Sequence, residues 1–85
     1  MKSEIDLIDN VLRKIVIPRY DAVIDVKVGY YEQANFFHVT IFVDPDISNS
    51  DAGKIVKDTE TLYKMITGKP SIMVNFTKSK KMKDG

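Results

Sequence analysis

Residues 22–43 read AVIDVKVGYYEQANFFHVTIFV, and this stretch decides the fold. In its first half Ala22, Ile24, Val26, Val28 and Tyr30 fall on one side of an extended chain, and Val23, Asp25, Lys27, Gly29 and Tyr31 fall on the other. After Glu32-Gln33-Ala34-Asn35 the alternation resumes, with Phe37, Val39, Ile41 and Val43 opposed to Phe36, His38, Thr40 and Phe42. A two-residue and a four-residue loop give the same pairing. Tyr30 meets Phe37, Val28 meets Val39, Val26 meets Ile41 and Ile24 meets Val43, all on the apolar side. Two separate alternations agree under one register, which predicts a hairpin with one buried face.

Working outward from the hairpin, Ile5, Ile8, Val11, Leu12 and Ile15 recur at helical spacing behind Ser3, which has the side chain of an N-cap. Acidic residues cluster near the start of this helix and Arg13 and Lys14 near its end, as the helix dipole favours. Pro18 biases the residue before it toward extended geometry, so the helix is expected to stop at about Val16. Beyond the hairpin, Asp44-Pro45-Asp46 is a turn, and Ser48 or Ser50 caps a second helix with Ala52, Ile55, Val56, Leu62, Tyr63 and Ile66 inward. Gly68 followed by Pro70 closes that helix. Residues 71–77 alternate Ile72, Val74 and Phe76 against Ser71, Met73, Asn75 and Thr77, a third strand.

The predicted order is α-β-β-α-β. Two helices that bury one stripe each cover one face of a three-stranded sheet, a two-layer α+β domain over residues 1–77 with its other face open. Pattern alone leaves open whether the third strand joins beside the first or the second. Residues 78–85 carry Lys78, Lys80, Lys81 and Lys83 and read as a basic flexible tail.

The chain has 85 residues, 13 basic and 12 acidic side chains, no cysteine and no tryptophan. That composition leaves no disulfide framework, thiol nucleophile or cysteine-based zinc site. The even balance conceals a division, with 5 basic and 8 acidic groups in residues 1–49 and 8 and 4 in residues 50–85. The start, with Glu4, Asp6 and Asp9, has no apolar run of the kind a signal peptide or membrane span requires. A reducing, cytoplasmic setting is therefore expected, or a virion if the protein is viral.

The stretches Asp25-Val26-Lys27-Val28, then Thr40 to Ser48, then Asp51-Ala52 resemble the cytoplasmic C-terminal domain of cation diffusion facilitator transporters over roughly residues 22–77. The resemblance implies an α-β-β-α-β module with a ferredoxin-like look that dimerises. No membrane-spanning part is expected in this sequence, and with Gly53 where that family often places a histidine ligand and a single histidine in the chain, family-type metal ligands are not expected. In topology the order is also similar to type II KH domains and to ribosome-binding factor A. The Gly-x-x-Gly loop by which KH domains hold a nucleic-acid backbone is not supplied by Gly53-Lys54-Ile55-Val56 or Gly68-Lys69-Pro70-Ser71.

The chemistry-bearing residues are few. His38 is the lone histidine, placed opposite Gly29 on the open face, and an enzyme would need Asp25, His38 and Lys27 to converge in a pocket. Asp44, Asp46, Ser48 and Ser50 have the alternate-oxygen spacing of a calcium loop, but Asn49 and Ile55 stand at its glycine and glutamate positions, so they read as turn and cap residues. Neither a metal nor a cofactor is expected. The open face itself is the stronger signal, because Val23, Tyr31, Phe36, Phe42 and Met73 put large apolar groups where a lone two-layer domain places polar ones. Tyr31, Phe36, Phe42 and Met73, with His38 and Thr40, form a candidate protein interface. The expectation is a non-enzymatic assembly module that self-associates or docks on a larger complex, such as a small virion, phage or accessory subunit. The alternative is nucleic-acid binding by the aromatic face with Lys27, Lys78, Lys80, Lys81 and Lys83.

Overall fold

The computed structural model describes residues 2–79 and runs α1 (Lys2–Arg19), β1 (Val23–Tyr31), β2 (Phe36–Val43), α2 (Asn49–Thr67) and β3 (Met73–Lys78). The sheet order is β1-β2-β3, with β2 antiparallel to β1 and parallel to β3. The parallel pairing settles the place of the third strand. It makes β2 the central strand and α2 the crossover that returns the chain to the same end of the sheet.

The hairpin keeps the expected register from Tyr31 opposite Phe36 to Asp25 opposite Phe42, and then slips. Val23, not Ile24, pairs with Val43, leaving Ile24 as the extra residue of a β-bulge. Val23 therefore turns into the core, where it is 3% exposed, and is not part of the open face. Local hydrogen bonds hold the slip in place. The Asp44 N–H donates to the Ala22 carbonyl at 2.8 Å, and the Asp25 carboxylate accepts from the Val26 N–H at 2.9 Å.

Alternate residues of β2, Phe37, Val39, Ile41 and Val43, form the floor of the core. Each helix places one row of residues on it at i, i+4 and i+8 spacing: Ile8, Leu12 and Val16 from α1, and Ile55, Thr59 and Tyr63 from α2. Thr59 is the core position that the apolar pattern passes over. It is fully buried, and its hydroxyl donates to the Ile55 carbonyl at 2.7 Å, so no polar group is left unpaired.

Both ends of α1 depart from expectation. Helical geometry is already present at Lys2, which puts Ser3 inside the first turn. At the other end the helix continues past Pro18 to Arg19. Pro18 lacks the N–H that would meet the Lys14 carbonyl, but Lys14 and Pro18 are both exposed on the outer side, and the last turn is still closed by the Tyr20 N–H on the Val16 carbonyl at 3.2 Å. The ends of α2 match the caps read from sequence. The Ser48 hydroxyl accepts from the Asp51 N–H at 3.1 Å, and Gly68 takes the left-handed conformation with φ 73°. Lys78 ends β3 and the Ser79 N–H still donates to the Val43 carbonyl at 2.9 Å, while residues 80–85 lie outside the described residues.

Two side-chain clusters fasten α1. Along the outer edge of β1, Asp9 accepts from the Val28 N–H at 3.1 Å, and Arg13 donates to the Val26 carbonyl and to Asp25. At its C-terminal end the Tyr20 hydroxyl and Arg19 both donate to Asp58 on α2, Arg19 at 3.1 Å. The Tyr20 hydrogen bond, aided by Arg19, holds the Asp58 carboxyl below the usual carboxylate range against the opposing effect of burial. A lowered folded-state pKa contributes stability above the unfolded value, and that contribution disappears as the pH falls through the folded one. Urea melts across the acid range are therefore expected to show a declining limb that flattens in Asp58→Asn. An unchanged limb in that variant would remove Asp58 as its source.

Candidate functional site

The sheet face turned away from the helices is ordered in rows by the two registers. Tyr31 lies beside Phe36; then come Gly29, His38 and Met73; then Lys27, Thr40 and Asn75; then Asp25, Phe42 and Thr77. The interface residues proposed from sequence, Tyr31, Phe36, His38, Thr40, Phe42 and Met73, thus share one face. Tyr31 and Met73 are 50% and 45% exposed, while Phe36, His38, Thr40 and Phe42 are half-buried by one another. Nothing among the described residues is layered over them.

Aromatic packing gives this face its shape. The Tyr31 ring centre is 5.2 Å from that of Phe36 and 4.6 Å from that of His38, in tilted geometry. The His38 imidazole lies across Gly29, so close that a Cβ there would stand 2.5 Å from Nε2. Glycine is required by this close approach, since its φ is not positive. The sequence places Gly29 opposite His38, but only the ring orientation reveals that the imidazole uses the missing side chain as its seat. Beside this strip, Phe36, Ser71, Ile72 and Met73 line a shallow hollow of about 420 Å³ where β3 begins.

Other groups considered from sequence are kept apart. Asp25 is drawn to Arg13 at the β1 edge, and four residues of strand separate it from Gly29 opposite His38, roughly 13 Å. Asp25, Lys27 and His38 therefore do not converge. Of the lysines in the nucleic-acid reading, Lys27 belongs to the open face, whereas Lys78 shares the register row of Val43 and points to the helix side. The two do not line one track, and Lys80, Lys81 and Lys83 lie outside the described residues. The Asp44 carboxylate accepts from the Asp46 N–H at 2.9 Å and Ser48 caps α2, so these oxygens serve the turn. Among the described residues no group of three or more His, Cys, Asp or Glu side chains is placed to hold a metal ion.

Comparison with known proteins bears on what this face is for. No protein-family model matches the sequence, and no curated relative matches it. Among solved structures the chain is similar to the MamB CTD, a magnetosome protein of Desulfamplus magnetovallimortis BW-1, at 26% identity over 94% of this chain and 98% of that chain, with a TM-score of 0.67. The chain resembles the C-terminal domain of a cation diffusion facilitator. The resemblance read from residues 22–77 is borne out and extends over α1 as well. It supports a protein-interaction domain, and it lends no support to a virion component or to nucleic-acid binding. No described helix is long and apolar enough to cross a membrane.

The Gly29–His38 seat is directly testable. Gly29→Ala is expected to leave the fold intact, because the imidazole is the free end of a rotatable side chain, while forcing that ring off Tyr31. Ring-current shifts of the Tyr31 and His38 protons are expected to change, with a stability loss of at most about 1 kcal/mol. Unchanged shifts would place the imidazole elsewhere.

Proposed function

We propose that this chain is a non-enzymatic assembly module that self-associates through its open sheet face. The observation that carries the reading is the uncovered strip of Tyr31, Phe36, Phe42 and Met73 around His38 on a domain whose other face is already packed by two helices. A domain of this size has a thin margin of stability, and covering such a strip adds to it by mass action. The similarity to the MamB C-terminal domain over nearly the whole of both chains supports an interaction role, since cation diffusion facilitator domains of this kind dimerise. In this reading the protein works as the soluble partner-gathering part of a transporter-type assembly.

The test is the double substitution Phe36→Asp and Phe42→Asp, measured by light scattering with circular dichroism as the check on folding. The expected wild-type mass is a multiple of the 9.7 kDa chain. The folded variant is expected at a lower mass, because two carboxylates per copy cannot be buried unpaired against an apolar surface. A folded variant with the wild-type mass would refute the open face as the contact.

A further inference from the structure

The outer side of the helix layer, opposite the open sheet face, is more apolar than the core requires. Besides the core row Ile8, Leu12 and Val16, α1 carries a second apolar row at the same spacing, Leu7, Val11 and Ile15. Val11 and Ile15 are half-buried without joining the core cluster, and Leu7 is 53% exposed. Helical periodicity puts this row on the side of α1 away from Asp9 and Arg13, which hold β1, and so on the side of α2. On α2, Asp58 marks where the end of α1 arrives, through Arg19 and Tyr20. Leu62 and Met65 follow Asp58 along the same side at i+4 and i+7, and Met65 is 76% exposed, more than any apolar residue of the open sheet face. One apolar strip thus runs along both helices, with Leu7 and Met65 projecting from it.

Cations border this strip. Lys14 on α1 and Lys54, Lys57 and Lys64 on α2 are all exposed, and among the described residues the ion pairs belong to Arg13 and Arg19 and none to a lysine. Acidic groups are fewer on this side. Asp58 is taken by Arg19 and Tyr20, Glu4 lies in the first turn of α1, and by helical position Asp6 leans toward the β1 edge and Glu60 lies on the side of α2 away from α1.

We propose that this side of the helix layer docks on an anionic lipid bilayer, with Leu7 and Met65 entering the interface and Lys14, Lys54, Lys57 and Lys64 reaching the headgroups. No described helix is long and apolar enough to cross a membrane, so the contact lies on the surface. Charge complementarity selects the occupant. Lysines without ion-pair partners beside an apolar strip match a surface that is negative outside and apolar beneath, and their flexible stems carry the amines outward while the methylenes follow the apolar side chains. A folded acidic protein would need a matching shape, but the hollows at the Asp44 turn and at the start of β3 are lined by no residue of the strip, and a fluid bilayer needs none. The contact goes beyond the sheet-face association and does not depend on it, since the two surfaces are on opposite sides of the domain.

The chain has no tryptophan, so Met65→Trp sets a single fluorescent reporter on the strip. With vesicles of equal parts phosphatidylcholine and phosphatidylserine at about 0.1 M salt, the emission of the full chain is expected to shift to the blue, and with phosphatidylcholine alone to stay unchanged. Co-sedimentation of the wild type with the anionic vesicles is expected to fall as salt rises, and to weaken by roughly fivefold for each of Lys57→Gln and Lys64→Gln. These positions are exposed, and circular dichroism checks that each variant is folded. The folded Phe36→Asp, Phe42→Asp variant is expected to keep its vesicle binding, which separates this contact from the one on the sheet face. Absence of binding overturns the proposal, as does equal binding to both lipid compositions. Binding without the blue shift assigns the attraction to Lys80, Lys81 and Lys83 and overturns it as well. A blue shift produced by a soluble peptide rich in Glu and Leu, with none on the vesicles, assigns the strip to a protein partner and likewise overturns it.

Discussion

The structure depends on the register of β2 against β1. Because β2 is central, its alternation is read twice, once by β1 and once by β3, and a slip of one residue turns Phe37, Val39, Ile41 and Val43 out of the core together. The helices add their rows to a floor that this register defines. The same constraint composes the open face: with the aliphatic residues of β2 committed inward, Phe36, His38, Thr40 and Phe42 have the other side as their only place. The candidate site and the core are two readings of one alternation.

This is why the hairpin and the open face were legible in the sequence. Period-two patterning in residues 23–43 is a local property, and two segments that agree on one pairing constrain each other. The bulge at Ile24 was not legible, because it arises from contacts made by distant residues. Arg13 on α1 draws Asp25 to the strand edge, and the Asp44 N–H takes the Ala22 carbonyl. In the sequence Asp9 and Arg13 read only as charges suited to a helix dipole, and their work on the β1 edge required knowing which strand α1 crosses. Thr59 was passed over because an apolar pattern does not count a threonine that satisfies its own hydroxyl within the helix. Pro18 was read as a stop, but so near the end of α1 it costs only one carbonyl partner on the solvent side.

The asymmetry of the sheet connects fold to function. One face is covered by helices and the other carries an aromatic strip; Arg13 and Asp9 engage the Val26 carbonyl and the Val28 N–H on the β1 edge, and among the described residues no hydrogen bond is made to the outer edge of β3. A small domain with an uncovered strip and such an edge has much of its remaining stabilisation available from outside the chain. The resemblance to the MamB C-terminal domain, 26% identical across nearly all of both chains with a TM-score of 0.67, is one of shared architecture. Where that family often places a histidine ligand, this chain has an exposed glycine, Gly53. Here contact surfaces are the more prominent feature.

The most direct measurement of the central claim is a concentration series of amide NMR spectra on the full chain. The account predicts concentration-dependent shifts at Tyr31, Phe36, His38, Phe42 and Met73, with the outer surfaces of α1 and α2 unaffected. Spectra that do not change with concentration, or that change only on the outer surfaces of the helices, would contradict it.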